Sequence, residues 1–336
     1  MRLVLPALAL FVAAVATAQS KPPLSDAAII DNASPAVLSA FGFFDGSPNQ
    51  PSDALVPYSL RTPLFSDYAE KQRFIYFPLN TKMTADASGK IAFPIGAAII
   101  KSFGYPYQGG KLKIIETRLL LHRTEGWVAL PYVWRADGSD ADLRVGGTRV
   151  PAVFKKPNGQ AMTISYAVPN KNQCKQCHSV DNAIMPIGPT LQNIQFQRSA
   201  DIGAVTQLAA NIKPEAKWDD PISGSLDQRA RAYLRVNCGH CHAPKGSASN
   251  SGLMLDGSAR DVTAFGIGKR PVAAGRASGD MDFVIDAGRP DRSILINRMK
   301  STDPGIAMPE VGRTTVHDEG LSLLEKWIAA MPPSQN

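Results

Sequence analysis

The four cysteines constrain this chain more than any other feature of its sequence, because all of them fall into two copies of one short pattern. The two segments are Cys174-Lys175-Gln176-Cys177-His178 and Cys238-Gly239-His240-Cys241-His242. C-x-x-C-H is the attachment pattern of c-type haem, since two thiols on one turn can reach both vinyl groups of a porphyrin and the adjacent histidine can bind its iron. The sequence therefore predicts two covalently attached haems c, with His178 and His242 as iron ligands.

Three other kinds of site also use paired cysteines: a structural zinc site, a redox dithiol and an ordinary structural disulfide. None of these sites requires a histidine directly after both pairs. Haem attachment accounts for every cysteine and for both histidines, so it is the favoured interpretation.

The N-terminus has the features of a secretory signal peptide over residues 1–18. Arg2 supplies the positive charge, an apolar stretch follows, and Ala16-Thr17-Ala18 gives a cleavage pattern of small residues. The apolar stretch is too short to span a bilayer of about 30 Å. We therefore expect an exported periplasmic protein with no integral membrane span.

The segment around the second motif has the pattern of a small helical domain. Ser225-Leu226-Asp227-Gln228 has the spacing of a capping box at the start of a helix that runs into Cys238. Residues 315–331 are amphipathic with a period near 3.6, and Pro332 and Pro333 end the helix. This pattern predicts an all-α class I cytochrome c domain over residues 221–333.

A sixth ligand for the second haem is expected between these two helices. Met308, followed by Pro309, lies just before the last helix, and a thioether ligand raises the potential of haem iron. Met299 is a rival, but it follows an apolar helical run and has the pattern of a core residue. His317 is a second rival for which a polar role in the first turn of the last helix is favoured.

The first haem segment covers residues 169–220, and only about 45 residues separate His178 from the start of the next domain, fewer than an ordinary domain has. It is expected to lean on its neighbours. Met185, which also precedes a proline, is the favoured sixth ligand of the first haem. His122, Met162 and an iron left open at this position are the alternatives.

Residues 61–168 are rich in β-branched and aromatic residues between turn signals, which predicts an antiparallel sandwich or barrel-like domain. Residues 19–60 are expected to form an irregular lead-in. The predicted fold class is thus α+β, with a β-rich domain, a reduced haem segment and the all-α domain in that order.

Charge and composition exclude some functions. The formal net charge is +7, but the sequence has no basic run and no basic patch interleaved with aromatic residues, so no nucleic-acid partner is expected. The β-rich region also lacks a nucleophile–base pair and a phosphate-binding glycine loop.

The chain resembles a family of bacterial dihaem c-type cytochromes that carry a β-rich N-terminal domain. Beyond the two haem motifs, the similar stretches are residues 62–68 (TPLFSDY), 116–120 (ETRLL), 126–134 (GWVALPYVW), 169–174 (PNKNQC) and 308–310 (MPE). The resemblance implies a periplasmic haem protein. It also implies a parallel β-helix protein as a partner, and it supplies no enzymatic activity.

Electron transfer between redox partner proteins is the favoured function, and a periplasmic dehydrogenase would be one such partner. The first alternative is a peroxidase-like enzyme in which an open first haem is fed by the second. The other is a cytochrome subunit whose β-rich domain binds a dehydrogenase or a glycan. The protein is thus expected to carry electrons rather than to be an enzyme.

Overall fold

The computed structural model describes residues 24–196, 212–273 and 275–333 of the chain. The expected signal peptide lies outside these residues. The α-helices are α1 (Asp26–Ile30), α2 (Lys171–His178), α3 (Leu226–Asn237), α4 (Ile294–Lys300) and α5 (Asp318–Ala329). Among the described residues, no helix is long and apolar enough to cross a membrane.

Most of the regular structure consists of strands. They are β1 (Val56–Leu60), β2 (Glu70–Tyr76), β3 (Thr84–Ala85), β4 (Ile91–Ala92), β5 (Ala98–Pro106), β6 (Leu112–Arg123), β7 (Gly126–Trp134), β8 (Ala141–Leu143), β9 (Thr148–Lys155), β10 (Ala161–Val168), β11 (Ser179–Val180), β12 (Ala183–Ile184) and β13 (Ile194–Phe196). Seven of them form one antiparallel sheet in the order β13-β1-β2-β5-β6-β7-β8, and the other six pair as separate two-stranded units. The expected antiparallel strands are present, but they form one open sheet that begins before residue 61 and ends with a strand from the first haem segment.

One face of the sheet is covered by the N-terminal segment. Ile29, Leu38, Phe41 and Phe43 are fully or almost fully buried against Ile100 and its neighbours on this face. These four residues therefore contribute to the core of the molecule, and they come from the segment, residues 19–60, that was expected to form an irregular lead-in. The apolar residues of this segment follow neither the helix period nor the strand period, so the sequence did not indicate that they are buried.

The other face of the sheet carries the alternate residues of the same strands, because side chains point to opposite faces along a strand. Ile99 packs in a cluster with Trp127 and with Met185 from the first haem segment. Phe103 and Tyr105 pack against Phe154 of the β9–β10 hairpin. This face thus supports the chain that carries the first motif.

The prediction of an all-α class I cytochrome c domain over residues 221–333 is wrong. The described part of this region has three α-helices, α3, α4 and α5, and the stretch between α3 and α4 is a series of turns and 3-10 helices. The helix signals at the two ends were local and correct, since Ser225 and Gln228 form the expected capping box and α5 lies within residues 315–331. The chain between them is rich in glycine, proline and aspartate, which favour turns.

A buried carboxylate joins the C-terminal region to the sheet. Asp67, which is 2% exposed, accepts hydrogen bonds from the backbone nitrogens of Thr314 and Thr315 at 2.7–2.9 Å, and both threonine hydroxyls also donate to it. Phe65 stacks on His317 with ring centroids 4.2 Å apart. Phe65 and Asp67 both lie within residues 62–68, so this stretch holds the C-terminal region in place.

Candidate functional site

The first motif forms the body of the short helix α2. Asn170 and Gln173 make a reciprocal capping box that starts the helix, in which the Asn170 side chain accepts from the Gln173 nitrogen at 2.8 Å. Cys174 and Cys177 are three residues apart and therefore lie on one face of the helix. Neither cysteine forms a disulfide.

The second motif follows directly after helix α3. Cys238 caps the helix, and its carbonyl accepts from the nitrogens of Cys241 and His242 at 3.1 and 3.0 Å, which winds the motif into a turn. A Cβ atom at Gly239 would lie 2.6 Å from the carbonyl oxygen of Arg235. Glycine is thus required where this turn approaches the helix backbone.

The histidines that end the two motifs are oriented in the same way, by a hydrogen bond at Nδ1. Nδ1 of His178 lies 3.0 Å from the carbonyl oxygen of Met185, and Nδ1 of His242 lies 3.0 Å from Oγ of Ser251. A carbonyl can only accept, and the Ser251 hydroxyl donates to Ala248, so each ring carries its proton on Nδ1. Nε2 then presents its lone pair, as an iron ligand must.

Burial keeps both rings neutral. It lowers the pKa of His178 to about 3, with a smaller contribution from the positive charge of Lys101. Burial also lowers the pKa of His242. A neutral imidazole is the form that binds a metal, so both histidines suit iron ligation at neutral pH.

A cavity of about 450 Å³ lies beside the second motif. Cys238, Cys241 and His242 line it on one side, and Met308 lines it too. Much of the remaining wall is apolar and includes Leu253, Leu255, Val284, Ile294 and Leu295. A mainly apolar cavity of this size is typical of a site for an organic cofactor, so the residues present fit a haem.

Met308 lies in a loop that one arginine holds. The guanidinium of Arg313 donates to the carbonyl oxygens of Met308 at 2.8 Å and Ser301 at 2.9 Å, and also to that of Thr315. Met299 lines the same cavity but is buried in the hydrophobic core of the region. The cavity thus contains both candidate methionines, and the assignment of Met308 as the ligand stays a prediction.

The two motifs lie next to each other. Gln176 of the first motif lines the cavity beside the second, and interaction between the Cys177 and Cys241 side chains lowers the pKa of Cys241 and raises that of Cys177. Lys245, just after the second motif, pairs with Asp181, just after the first, at 2.5 Å. Groups attached at the two motifs would therefore be neighbours.

The candidate sixth ligands of the first haem lie in the sheet core. Met185 packs in the cluster around Trp127, and its carbonyl holds His178, so its contacts are accounted for without an iron bond. His122 stacks on Trp127 at 4.5 Å, and Met162 packs in the β9–β10 cluster. None of these contacts tests the ligand assignment of Met185, which stays a prediction.

His317, the rival ligand at the second site, sits among aromatic rings. Its Nδ1 lies 2.9 Å from the hydroxyl oxygen of Tyr233, and its ring is stacked on Phe65. This contact fits the polar role that the sequence favoured for it. Within the described ranges, no group of three or more His, Cys, Asp or Glu side chains is arranged to hold a metal ion without haem.

Sequence reasoning missed three residues that shape the site: Asp67, Ser251 and Arg313. Each acts on residues that the sequence does not place beside it, because Asp67 is 247 residues from Thr314 and Arg313 reaches four carbonyls at once. The one available signal was that Asp67 lies within residues 62–68, one of the stretches on which the resemblance rests. In comparisons with protein-family profiles, curated proteins and solved structures, the chain has no significant match.

Proposed function

We propose that this protein is an exported dihaem c-type cytochrome that transfers electrons between redox partners in the periplasm. The observation that carries the proposal is that the two C-x-x-C-H motifs are neighbours: Gln176 of the first lines the cavity beside the second, and Asp181 and Lys245, which follow the two motifs, form an ion pair at 2.5 Å. Two haems that exchange electrons must lie close together.

The chain's own residues have simple roles in this proposal. The four cysteines would hold two haems by thioether bonds, and each haem would supply an iron that changes between the ferrous and ferric states. His178 and His242 would bind the irons through Nε2, oriented by Met185 and Ser251. The soft sulfur of Met308 would favour the ferrous state at the second iron.

The partners are proposed from the function and the resemblance. A periplasmic dehydrogenase would be an electron donor, and a parallel β-helix protein is the second candidate partner.

One observation favours a second function. If Met185 stays in the sheet cluster where its side chain packs, the first iron has an open sixth position. An iron with an open position can bind peroxide or another small oxidant. A peroxidase-like enzyme fed by the second haem is therefore the alternative.

Electron paramagnetic resonance of the oxidised protein distinguishes the two functions. Two low-spin signals are the result that electron transfer predicts, and a high-spin signal from one haem would favour the enzyme. Optical spectra with added peroxide are the matched control, because only an open iron reacts directly. Absence of any haem signal from protein purified from the periplasm would contradict both.

A further inference from the structure

Three cations lie side by side on the sheet face that supports the first motif. Arg73 of β2 is the cross-strand partner of Lys101 of β5, and Lys101 is the partner of Arg118 of β6. Directly opposed side chains have Cβ atoms about 4.5–5.5 Å apart, and like charges in such pairs are destabilising. We refer to Arg73, Lys101 and Arg118 as the cation row.

The protein neutralises only part of this charge. The carboxylate of Glu116 is fully buried. It accepts hydrogen bonds from Nε of Arg118 at 3.0 Å and from the Tyr166 hydroxyl at 2.6 Å. No carboxylate of the described residues forms an ion pair with Arg73 or Lys101. Two of the three charges in the row therefore lack a directly paired carboxylate in this part of the chain, although the charge of Glu116 also acts on Lys101.

A donor in the row also lacks an acceptor. Arg73 is 9% exposed, and its Nε is buried without a hydrogen-bond partner, while its Nη1 reaches only the carbonyl of Lys71 at 3.3 Å. Buried donors are nearly always paired in folded proteins, and the exceptions call for an explanation such as a ligand. An acceptor with a negative charge would satisfy both Arg73 and Lys101.

The row lies beside the first haem motif. Helix α2 packs against β7, the neighbour of the strand that carries Arg118. Burial, with the charges of Arg118 and Arg73, lowers the pKa of Lys101 to about 7, and Lys101 in turn interacts with Cys177 and His178. The side chain of Arg118 is 22% exposed, so the row is not sealed from solvent.

We infer that the cation row is a binding site for an oxyanion, either a carboxylate or a small inorganic oxyanion, next to the first C-x-x-C-H motif. The guanidinium fork of Arg73, whose Nε has no partner, matches the geometry of such a ligand, and Lys101 beside it supplies a point charge, while the fork of Arg118 is held by Glu116. A free anion or a propionate of a haem would present the same chemistry. The second source rests on the proposed function, whereas the first does not.

Calorimetric titration of the full-length protein with acetate, nitrite, sulfate and phosphate, each in turn, tests the site. We expect saturable binding of at least one anion, weakened at least tenfold in Lys101→Met and Arg73→Gln. Lys113→Met is the matched control, since Lys113 is an exposed lysine on the same strand as Arg118, and it should bind as the parent does. Lys101→Met should also raise the melting temperature without anion, because it relieves repulsion in the row.

A second readout identifies the source of the ligand. If a haem propionate fills the site, added anions will not bind, but the propionate bands in the resonance Raman spectrum will shift in Arg73→Gln and not in Lys113→Met. No binding together with unshifted bands would overturn the inference, as would binding that both variants retain. Haem content measured on the same samples shows separately whether the proposed function has failed.

Discussion

The two haem motifs share a pattern but differ in what supports them. The second follows a 12-residue capped helix and borders a cavity, and its region has its own hydrophobic core around Leu234, Leu324 and Ile328. The first occupies an eight-residue helix, and its following loop buries Met185 against the sheet. The same five-residue pattern is thus supported by different structures, a capped helix with a cavity at the second motif and the sheet at the first.

The structure around each motif also predicts how each site responds to substitutions. The second site lies in a region with its own hydrophobic core, in which Arg313 holds the loop of Met308. The first depends on the sheet, so its properties are tied to strands that precede it by about 50–100 residues. Variants matched between the two sites can therefore break or sharpen the distinction.

The largest effect is expected from removing one pair of cysteines at a time. Cys174→Ala with Cys177→Ala should remove the first haem and halve the haemochrome absorbance, and Cys238→Ala with Cys241→Ala should do the same for the second. The two remaining spectra should differ, because the second motif borders a largely apolar cavity whereas the first lies against the sheet. A variant that keeps both haems would contradict the assignment.

Exchange of one methionine for leucine should change the spin state of one haem. Met308→Leu keeps volume but removes the sulfur, so we expect one of the two haems to become high-spin in electron paramagnetic resonance. Met299→Leu is the matched control and should leave the spectrum unchanged, since such swaps in a core cost less than about 1.5 kcal/mol. The reverse outcome would assign Met299 as the ligand.

The contact between the sheet and the C-terminal region should depend on the charge of Asp67. Asp67→Asn keeps the size and the left-handed backbone but turns one acceptor into a donor that faces the Thr314 and Thr315 nitrogens. We expect the free energy of unfolding in urea to fall by about 3 kcal/mol. Asp137→Asn, at an exposed turn, should lower the free energy of unfolding by much less. Equal losses in the two variants would show that Asp67 does not hold the C-terminal region on the sheet.

The smallest effects are expected at the two capping boxes. Asn170→Ala and Ser225→Ala each remove a helix cap, at a cost of about 1 kcal/mol. Because α2 has no core of its own, Asn170→Ala should also perturb the spectrum of the first haem, whereas Ser225→Ala should leave the second unchanged. Equal spectral effects would remove the distinction between the two supports.

Local features of the molecule could be predicted from sequence, and long-range ones could not. The capping box at Ser225, the last helix and the antiparallel strands follow from caps, periodicity and turn residues within short windows. The all-α domain was wrong because two correct helices were extended across a stretch whose turns are held by tertiary contacts. Periodicity does not report such contacts.

The candidate site also has features that the sequence reveals and features that it does not. The two C-x-x-C-H motifs can be found in the sequence because each spans only five residues. The cation row is not, since Arg73, Lys101 and Arg118 meet only once the register of three strands is known. Asp67 likewise gains its partners from the other end of the chain.

Intact-mass spectrometry of denatured protein purified from the periplasm of its host tests the central claim most directly, because thioether bonds survive denaturation. The account predicts a mature chain without residues 1–18 whose mass is increased by two haems. Peptide mapping should place one haem on Cys174 and Cys177 and the other on Cys238 and Cys241. A chain with unmodified cysteines, or with a disulfide in their place, would contradict the account.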